Sequence, residues 1–337
     1  MPDSFHYEKG LVSLVTPGWN GRAFVHRLLD SIIAQTYRPI QYIYVDDGST
    51  DGTAEVVEAY KDKFAQANIA FTFVRQENAG ICSALMTGFQ EVRGEFLSNP
   101  EYDDFLLPDS VEKRVRFMRD NPDSAVVVAD AWVVYENCID ERKTLLSRGD
   151  PSRFDTDHFK DSLMSRTIFN AACYMVRMDS FDETHFGRQL IDYEFGAAQQ
   201  ILLPLYYRWK RGFIDEPLSV YVRRSGSLGS VKQTLEDEVS HDLKYKGMLF
   251  KVLDGIQMDA QERDLYKKSV ELNVQKDFLD FSRKYGSKRL WRQAYHYLKT
   301  NDALPADLKP FSSGHLKYGF WSIAQKAKQL FTGDKHI

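Results

Sequence analysis

Three carboxylates stand within four residues at Glu101-Tyr102-Asp103-Asp104, inside the longer run Ser98-Asn99-Pro100-Glu101-Tyr102-Asp103-Asp104-Phe105-Leu106-Leu107-Pro108. An apolar, strand-like run precedes this stretch and a helix-like one follows it. A β-strand would send successive side chains to opposite faces, but a turn can aim all three at one point. Hard cations take such oxygen ligands, and Mg2+ or Mn2+ held by one or two carboxylates completes its shell with phosphates and water. The stretch reads either as a metal and diphosphate anchor or as a solvated acidic loop. Taken alone it favours the loop, because acidic turns are common on surfaces.

The segments before it supply a setting. Leu11–Thr16 is a short apolar, β-branched run that predicts a buried strand, broken by Pro17-Gly18-Trp19-Asn20-Gly21. From Arg22 to Tyr37 the apolar residues Phe24, Val25, Leu28, Leu29, Ile32 and Ile33 recur at helical spacing. Ile40–Val45 predicts a second strand. It leads into Asp46-Asp47-Gly48-Ser49-Thr50-Asp51-Gly52 and a helix over about Thr53–Ala65, with Ser49 or Asp51 as its cap. Ile69–Val74 predicts a third strand. Strand, helix, strand, helix, strand is the pattern of a parallel α/β sheet, in which ligands bind beyond the carboxyl ends of the strands. Two loops fall there. An exposed Trp19 could stack a nucleobase, and Asp47 could accept the imide N–H of a uracil; otherwise they read as a loop anchor and a turn former. No glycine-rich phosphate loop accompanies them, so phosphates would need a counter-charge from elsewhere, which a metal on the acidic turn would supply.

With 337 residues the chain has room for one large domain with additions or for two domains. A net charge of −4 gives no global pull toward nucleic acid. Cys82, Cys138 and Cys173 are too scattered for a metal site or a disulfide framework, which points to a reducing compartment. The N-terminal stretch has no signal-peptide pattern, and no run of about 18 apolar residues predicts a membrane span. The expected location is cytoplasmic, with peripheral contact at the inner face of the membrane.

Several segments, in order, resemble the inverting family-2 glycosyltransferases. Leu11–Gly21 resembles the family's opening strand and Pro-x-Tyr-Asn turn, with Trp19 in place of tyrosine. Ser31–Tyr37 resembles its Ser-x-x-x-Gln-Thr-Tyr helix end. Val45-Asp46-Asp47-Gly48-Ser49-Thr50-Asp51-Gly52-Thr53 is its most recognisable motif. Asn78-Ala79-Gly80, Arg93-Gly94-Glu95-Phe96 and Phe181-Asp182-Glu183 also match. Glu101–Asp104 falls on the Asp-x-Asp-Asp metal motif, with Glu101 replacing the first aspartate. The resemblance covers roughly residues 10 to 228 and implies a GT-A fold: a Rossmann-like α/β domain with a mixed, mostly parallel sheet flanked by helices. It places a catalytic domain over 1–229 (nucleotide-sugar half 1–109, acceptor half 110–229); the helical, basic region over 230–337 matches no motif of the family and is read from apolar spacing and charge alone.

The resemblance implies metal-dependent transfer from a nucleotide sugar, commonly a UDP-sugar, to a saccharide or lipid-linked acceptor in cell-surface polysaccharide or glycolipid synthesis. The nucleotide would lie against Thr16, Pro17, Trp19, Asp47 and Asp103. Asp103 would be the principal ligand of Mn2+ or Mg2+, joined by Glu101, while Glu101 and Asp104 contact the donor. Asp192, in Leu190-Ile191-Asp192-Tyr193-Glu194, aligns with the general base at the opening of a helix reaching about Arg211; Glu194 is the alternative. Arg223 and Arg224 either close over the diphosphate or are solvated charges. The chain departs from the family at Glu101, at Leu85 (where the family has arginine, leaving Arg75 a weak substitute), at Ile191, and in lacking a histidine after Tyr221. These departures keep open a nucleotide-sugar-binding protein with lost or altered catalysis. A nucleotidyltransferase is disfavoured, because its Gly-rich, Arg/Lys phosphate loop is missing.

Toward the C-terminus, Asp109–Arg119 predicts a helix capped by Asp109, Asp123–Val134 one or two strands, residues 139–165 an irregular loop, and Ile168–Arg177 a strand. Beyond Ser230, Leu243, Met248, Leu249, Val252 and Leu253 fit one packed helix and Leu265 to Phe281 another. The basic end, with Trp291, Tyr295, Tyr297, Tyr318, Phe320 and Trp321 among its lysines and arginines, fits contact with an anionic bilayer, with the catalytic domain or with another subunit.

Overall fold

The computed structural model describes residues 7–142, 144–155, 157–164, 171–191, 193, 196–224, 234–306 and 308. In chain order the elements are β1 (Glu8–Gly18), α1 (Val25–Ile33), β2 (Ile40–Asp47), α2 (Thr53–Glu58), α3 (Lys61–Gln66), β3 (Ile69–Gln76), α4 (Ile81–Gln90) and β4 (Gly94–Ser98). Then come β5 (Phe105–Leu106), α5 (Ser110–Asp120), β6 (Ser124–Tyr135), β7 (Thr144–Leu145), α6 (Phe159–Leu163), β8 (Tyr174–Arg177), α7 (Met178–Thr184), α8 (Ala197–Arg208) and β9 (Lys210–Arg223). Helices α9 (Leu235–Gly255), α10 (Ala260–Lys284) and α11 (Lys288–Thr300) follow.

Among the described residues the strands make a nine-stranded sheet in the order β3-β2-β1-β4-β8-β6-β9-β5, with β7 paired to β6. β1 runs parallel to β2 from Val12 opposite Ile40 to Gly18 opposite Asp46, and also parallel to β4. β8 is antiparallel to both β4 and β6. Order along the chain therefore runs outward from β1 to β2 and β3, then returns to place β4 on the other side of β1. The crevice at such a reversal, outside the carboxyl ends of the strands, is where open α/β sheets bind ligands.

The local reasons are legible. Leu11, Val12, Leu14 and Val15 are all buried, as expected of a parallel strand covered on both faces. In α1 the buried residues Val25, Leu28, Leu29 and Ile32 follow the i, i+3, i+4, i+7 rule, each contributing roughly 1.5–3 kcal/mol on burial. The helix expected over about Thr53–Ala65 is instead two short ones, α2 and α3, broken at Ala59–Tyr60. Asp51 does stabilise the start of α2, its Oδ1 accepting the Thr53 N–H at 3.0 Å. Asp109 occupies the cap position of α5 but makes no side-chain cap bond; its carboxylate pairs with Lys113 at 2.8 Å. The 139–165 region is less irregular than expected, holding β7, a 3-10 turn at Pro151–Phe154 and α6.

The chain divides into two compact units, one of residues 1–227 with 254–256 and one of 228–253 with 257–337. In the second, Val274, Phe278, Leu279, Trp291, Ala294 and Leu298 form a core. Asp259 and Ser287 cap α10 and α11 through their side chains. Met248, Leu249, Val252 and Leu253 are buried as expected, but Leu243 and Leu265 are exposed. Trp291 lies in the core of this unit, so its ring is not free to sit at a bilayer interface; Tyr318, Phe320 and Trp321 fall outside the described residues. Among the described residues no helix is long and apolar enough to cross a membrane.

Candidate active site

The loop after β1 and the loop after β2 are fastened to each other. The Asn20 N–H donates to Ser49 Oγ at 2.9 Å, and the Thr50 N–H returns a bond to Asn20 Oδ1 at 2.9 Å. The Gly21 N–H donates to Thr53 Oγ1 at 2.8 Å, and Arg22 N–H to Asp51 Oδ2 at 3.0 Å. Asn20 takes a left-handed conformation with φ of 49°, which asparagine tolerates better than most residues. A Cβ at Gly18 would lie 1.8 Å from Tyr44 Oη. Gly18→Ala is therefore expected to destabilise the chain by about 1–3 kcal/mol through overpacking, read as a lower urea midpoint. On this fastened platform Trp19 is 52% exposed, as stacking requires.

Asp47 is buried and braces the loop after β3. Its Oδ1 accepts from Gln76 Nε2 at 2.8 Å and from the Ala79 N–H at 3.0 Å, and its Oδ2 accepts the Gly80 N–H at 2.9 Å. A carboxylate offers about four lone-pair sites, so three donors leave room for one more, the capacity a uracil imide would use. Asp46 is committed elsewhere, paired with Arg75 at 3.2 Å. Arg75 also donates to the Ser49 carbonyl at 2.8 Å. Two further candidates for the nucleotide site are buried in the fold. The Thr16 side chain is fully buried and its hydroxyl donates to the Pro100 carbonyl at 3.0 Å, joining the end of β1 to the start of the acidic turn. Pro17 is buried as well.

The three carboxylates of the turn do not converge as expected. Asp104 is fully buried and accepts the Val222 N–H at 2.9 Å, so it fixes the end of β9. Burial pushes the Glu101 carboxyl up to about 7, with the Asp103 charge adding to the rise and Arg224 opposing it. Asp103 is ion-paired to Arg224, 121 residues away in sequence. The Arg224 guanidinium lies over the Phe24 ring, 4.3 Å from its centroid, and 5.9 Å from that of Tyr102. Arg223, one residue earlier, is exposed. In the sequence Phe24 reads only as part of the apolar stripe of α1 and Tyr102 has no role of its own; an aromatic inside the carboxylate cluster is the available signal.

Asp192 and Glu194 lie outside the described residues. Just before them the Ile191 N–H donates to Gln200 Oε1 at 2.7 Å, and Gln200 is itself buried. The helix expected to open at Leu190 starts later, at Ala197, because Gly196 takes a left-handed conformation with φ of 80° at its N-cap.

The family model described as "Glycosyl transferase family 2" matches residues 13–186, just over half of the chain. The chain belongs to glycosyl transferase family 2. Its GT-A architecture agrees with solved structures. Staphylococcus aureus TarS 1–349 in complex with UDP-GlcNAc has a TM-score of 0.62 at 15% identity, over 97% of this chain and 93% of that one. The mannosyltransferase PcManGT of Pyrobaculum calidifontis, in complex with GDP-Man and Mn2+, has a TM-score of 0.55 at 16% identity, over 96% and 81%. At these identities the likeness is one of fold. An uncharacterized glycosyltransferase of Rickettsia typhi is 33% identical over 118 residues, 35% of each chain. Glycosyltransferase GlyA of Streptococcus pneumoniae is 33% identical over 101 residues, 30% of this chain and 14% of that one. The match thus spans about a third or less of these relatives.

In this family-2 chain a metal has oxygen donors to meet but no finished cage. Among the described residues no three His, Cys, Asp or Glu side chains stand close enough together to hold an ion. One partly open carboxylate, Asp103, with Glu101 beside it fits a hard cation that brings phosphate oxygens with it, and does not fit an all-protein site.

Proposed function

We propose that the chain is a metal-dependent inverting glycosyltransferase that moves a sugar from a UDP-sugar to a saccharide or lipid-linked acceptor of the cell surface. One observation carries the reading: an exposed tryptophan, a buried carboxylate with one acceptor site to spare, and an acidic turn with an arginine partner all stand at the carboxyl ends of β1, β2 and β4, where strand order reverses. The UDP-GlcNAc and UDP bound by TarS support a uridine donor. Catalysis is assigned to residues 1–229, with 1–109 holding the donor and 110–229 the acceptor.

The division of labour follows from charge. Trp19 stacks the base and Asp47 accepts its imide N–H. Asp103, with Glu101, holds the cation, which when bound neutralises charge on the leaving diphosphate. Arg224 adds a guanidinium to the same oxygens. The Asp192 carboxylate takes the proton of the acceptor hydroxyl as that oxygen attacks the anomeric carbon. The bond to the diphosphate breaks on the opposite face, its electron pair leaving with UDP, so configuration inverts. Trp19→Ala is expected to weaken UDP binding by about 1–3 kcal/mol, measured by titration calorimetry.

The reading as a whole is tested by release of UDP from a panel of UDP-sugars, with and without saccharide acceptors, in Mn2+ and in EDTA. Metal-dependent release from one donor supports it; donor binding without release under any condition favours the second reading, a nucleotide-sugar-binding protein with altered catalysis. That reading draws on the Asp103–Arg224 pair, which ties up the expected metal ligand.

A further inference from the structure

The pair that ties up Asp103 is built rather than incidental. Both side chains are largely shielded, 17% exposed for Arg224 and 16% for Asp103. The guanidinium is held by two separate segments, Asp103 and Tyr102 of the acidic turn and Phe24 just before α1, and its own backbone directly follows β9. Asp104 reinforces the arrangement by fixing the Val222 N–H two residues before Arg224. A surface arginine would spread over many rotamers; this one is stacked and ion-paired in one place.

We propose that Arg224 is a resident counter-ion that competes with the divalent cation for Asp103, so that the cation gains this carboxylate only when a nucleoside diphosphate draws the guanidinium away. The proposal rests on the reading of the site as a nucleotide-sugar site and adds an order of loading to it. The physical basis is substitution of like by like. Guanidinium suits a carboxylate and a phosphate equally well, each by paired N–H donors. Moving from Asp103 to the diphosphate therefore costs Arg224 little, while it frees the carboxylate that the guanidinium holds. A metal arriving alone must displace the arginine with nothing to receive it. Free protein is thereby kept from holding a cation at an empty donor site.

The test uses Mn2+ alone, followed by electron paramagnetic resonance of the unbound ion, on the full chain without nucleotide. Arg224→Gln is expected to bind Mn2+ about tenfold more tightly than wild type. Phe24→Leu, which removes the ring beneath the guanidinium but keeps the charge, shifts affinity the same way by a smaller factor and decides the matter if Arg224→Gln does not fold. Arg223→Gln removes the same charge one residue away and is expected to stay within about twofold of wild type, since an exposed charge is screened. In EDTA, Arg224→Gln binds UDP about threefold more weakly than wild type, having lost the group the diphosphate receives. Mn2+ binding no tighter in Arg224→Gln than in wild type overturns the proposal, and so does equal tightening in Arg223→Gln, which would reduce the effect to net charge. The underlying reading fails separately, if wild type binds no UDP at any Mn2+ concentration.

Discussion

Asp192→Asn is expected to lower transfer by about a thousandfold while leaving UDP-sugar affinity within about twofold. Asparagine keeps the size and hydrogen-bonding reach of aspartate but cannot take a proton from an acceptor hydroxyl. The attacking oxygen would then have to lose its proton to water, and only the chemical step should suffer. The assignment rests on the family pattern at Leu190–Glu194. Single-turnover kinetics alongside donor titration separate the two quantities. Near-normal turnover in Asp192→Asn would move the base elsewhere, with Glu194 the next residue to replace.

Asp103→Asn is the second large effect. It removes the carboxylate proposed as the cation's principal ligand, which is partly exposed where Asp104 is fully buried. Turnover in saturating donor should fall by about a hundredfold or more, because charge on the leaving diphosphate is no longer neutralised. Unlike Asp192→Asn, it should also weaken donor binding. The substitution breaks the ion pair as well, leaving a stacked, shielded guanidinium without its carboxylate; a modest loss of stability is expected, and a thermal melt distinguishes it from unfolding.

Much of this was legible in the sequence. Apolar runs mark β1 and β2, whose burial on both faces leaves little freedom in composition, and the half-buried edge strand β3; helical spacing marks α1, and turn residues mark the two loops that meet above them. The acidic turn stood out by composition alone. What could not be read was which carboxylate faces where. Asp103 and Asp104 are neighbours of like chemistry, yet one is held by an arginine 121 residues away and the other is sealed under β9. Those partners are set by sheet order, which local sequence does not encode. Thr16 illustrates the same limit: its hydroxyl is spent on Pro100 because β1 and β4 are adjacent, a fact that emerges only once strand order reverses at β1. The start of α8 differs from the expectation for a local reason, since Gly196 takes a left-handed conformation at its N-cap.

The most direct test of the central claim, that the acidic turn anchors the donor's diphosphate through a cation, is calorimetric titration of UDP into wild type and Asp103→Asn, each in Mn2+ and in EDTA. Wild type should bind UDP at least about tenfold more tightly in Mn2+ than in EDTA, and Asp103→Asn should lose most of that difference. Equal affinity for UDP with and without metal in wild type, or an undiminished metal effect in Asp103→Asn, would contradict it.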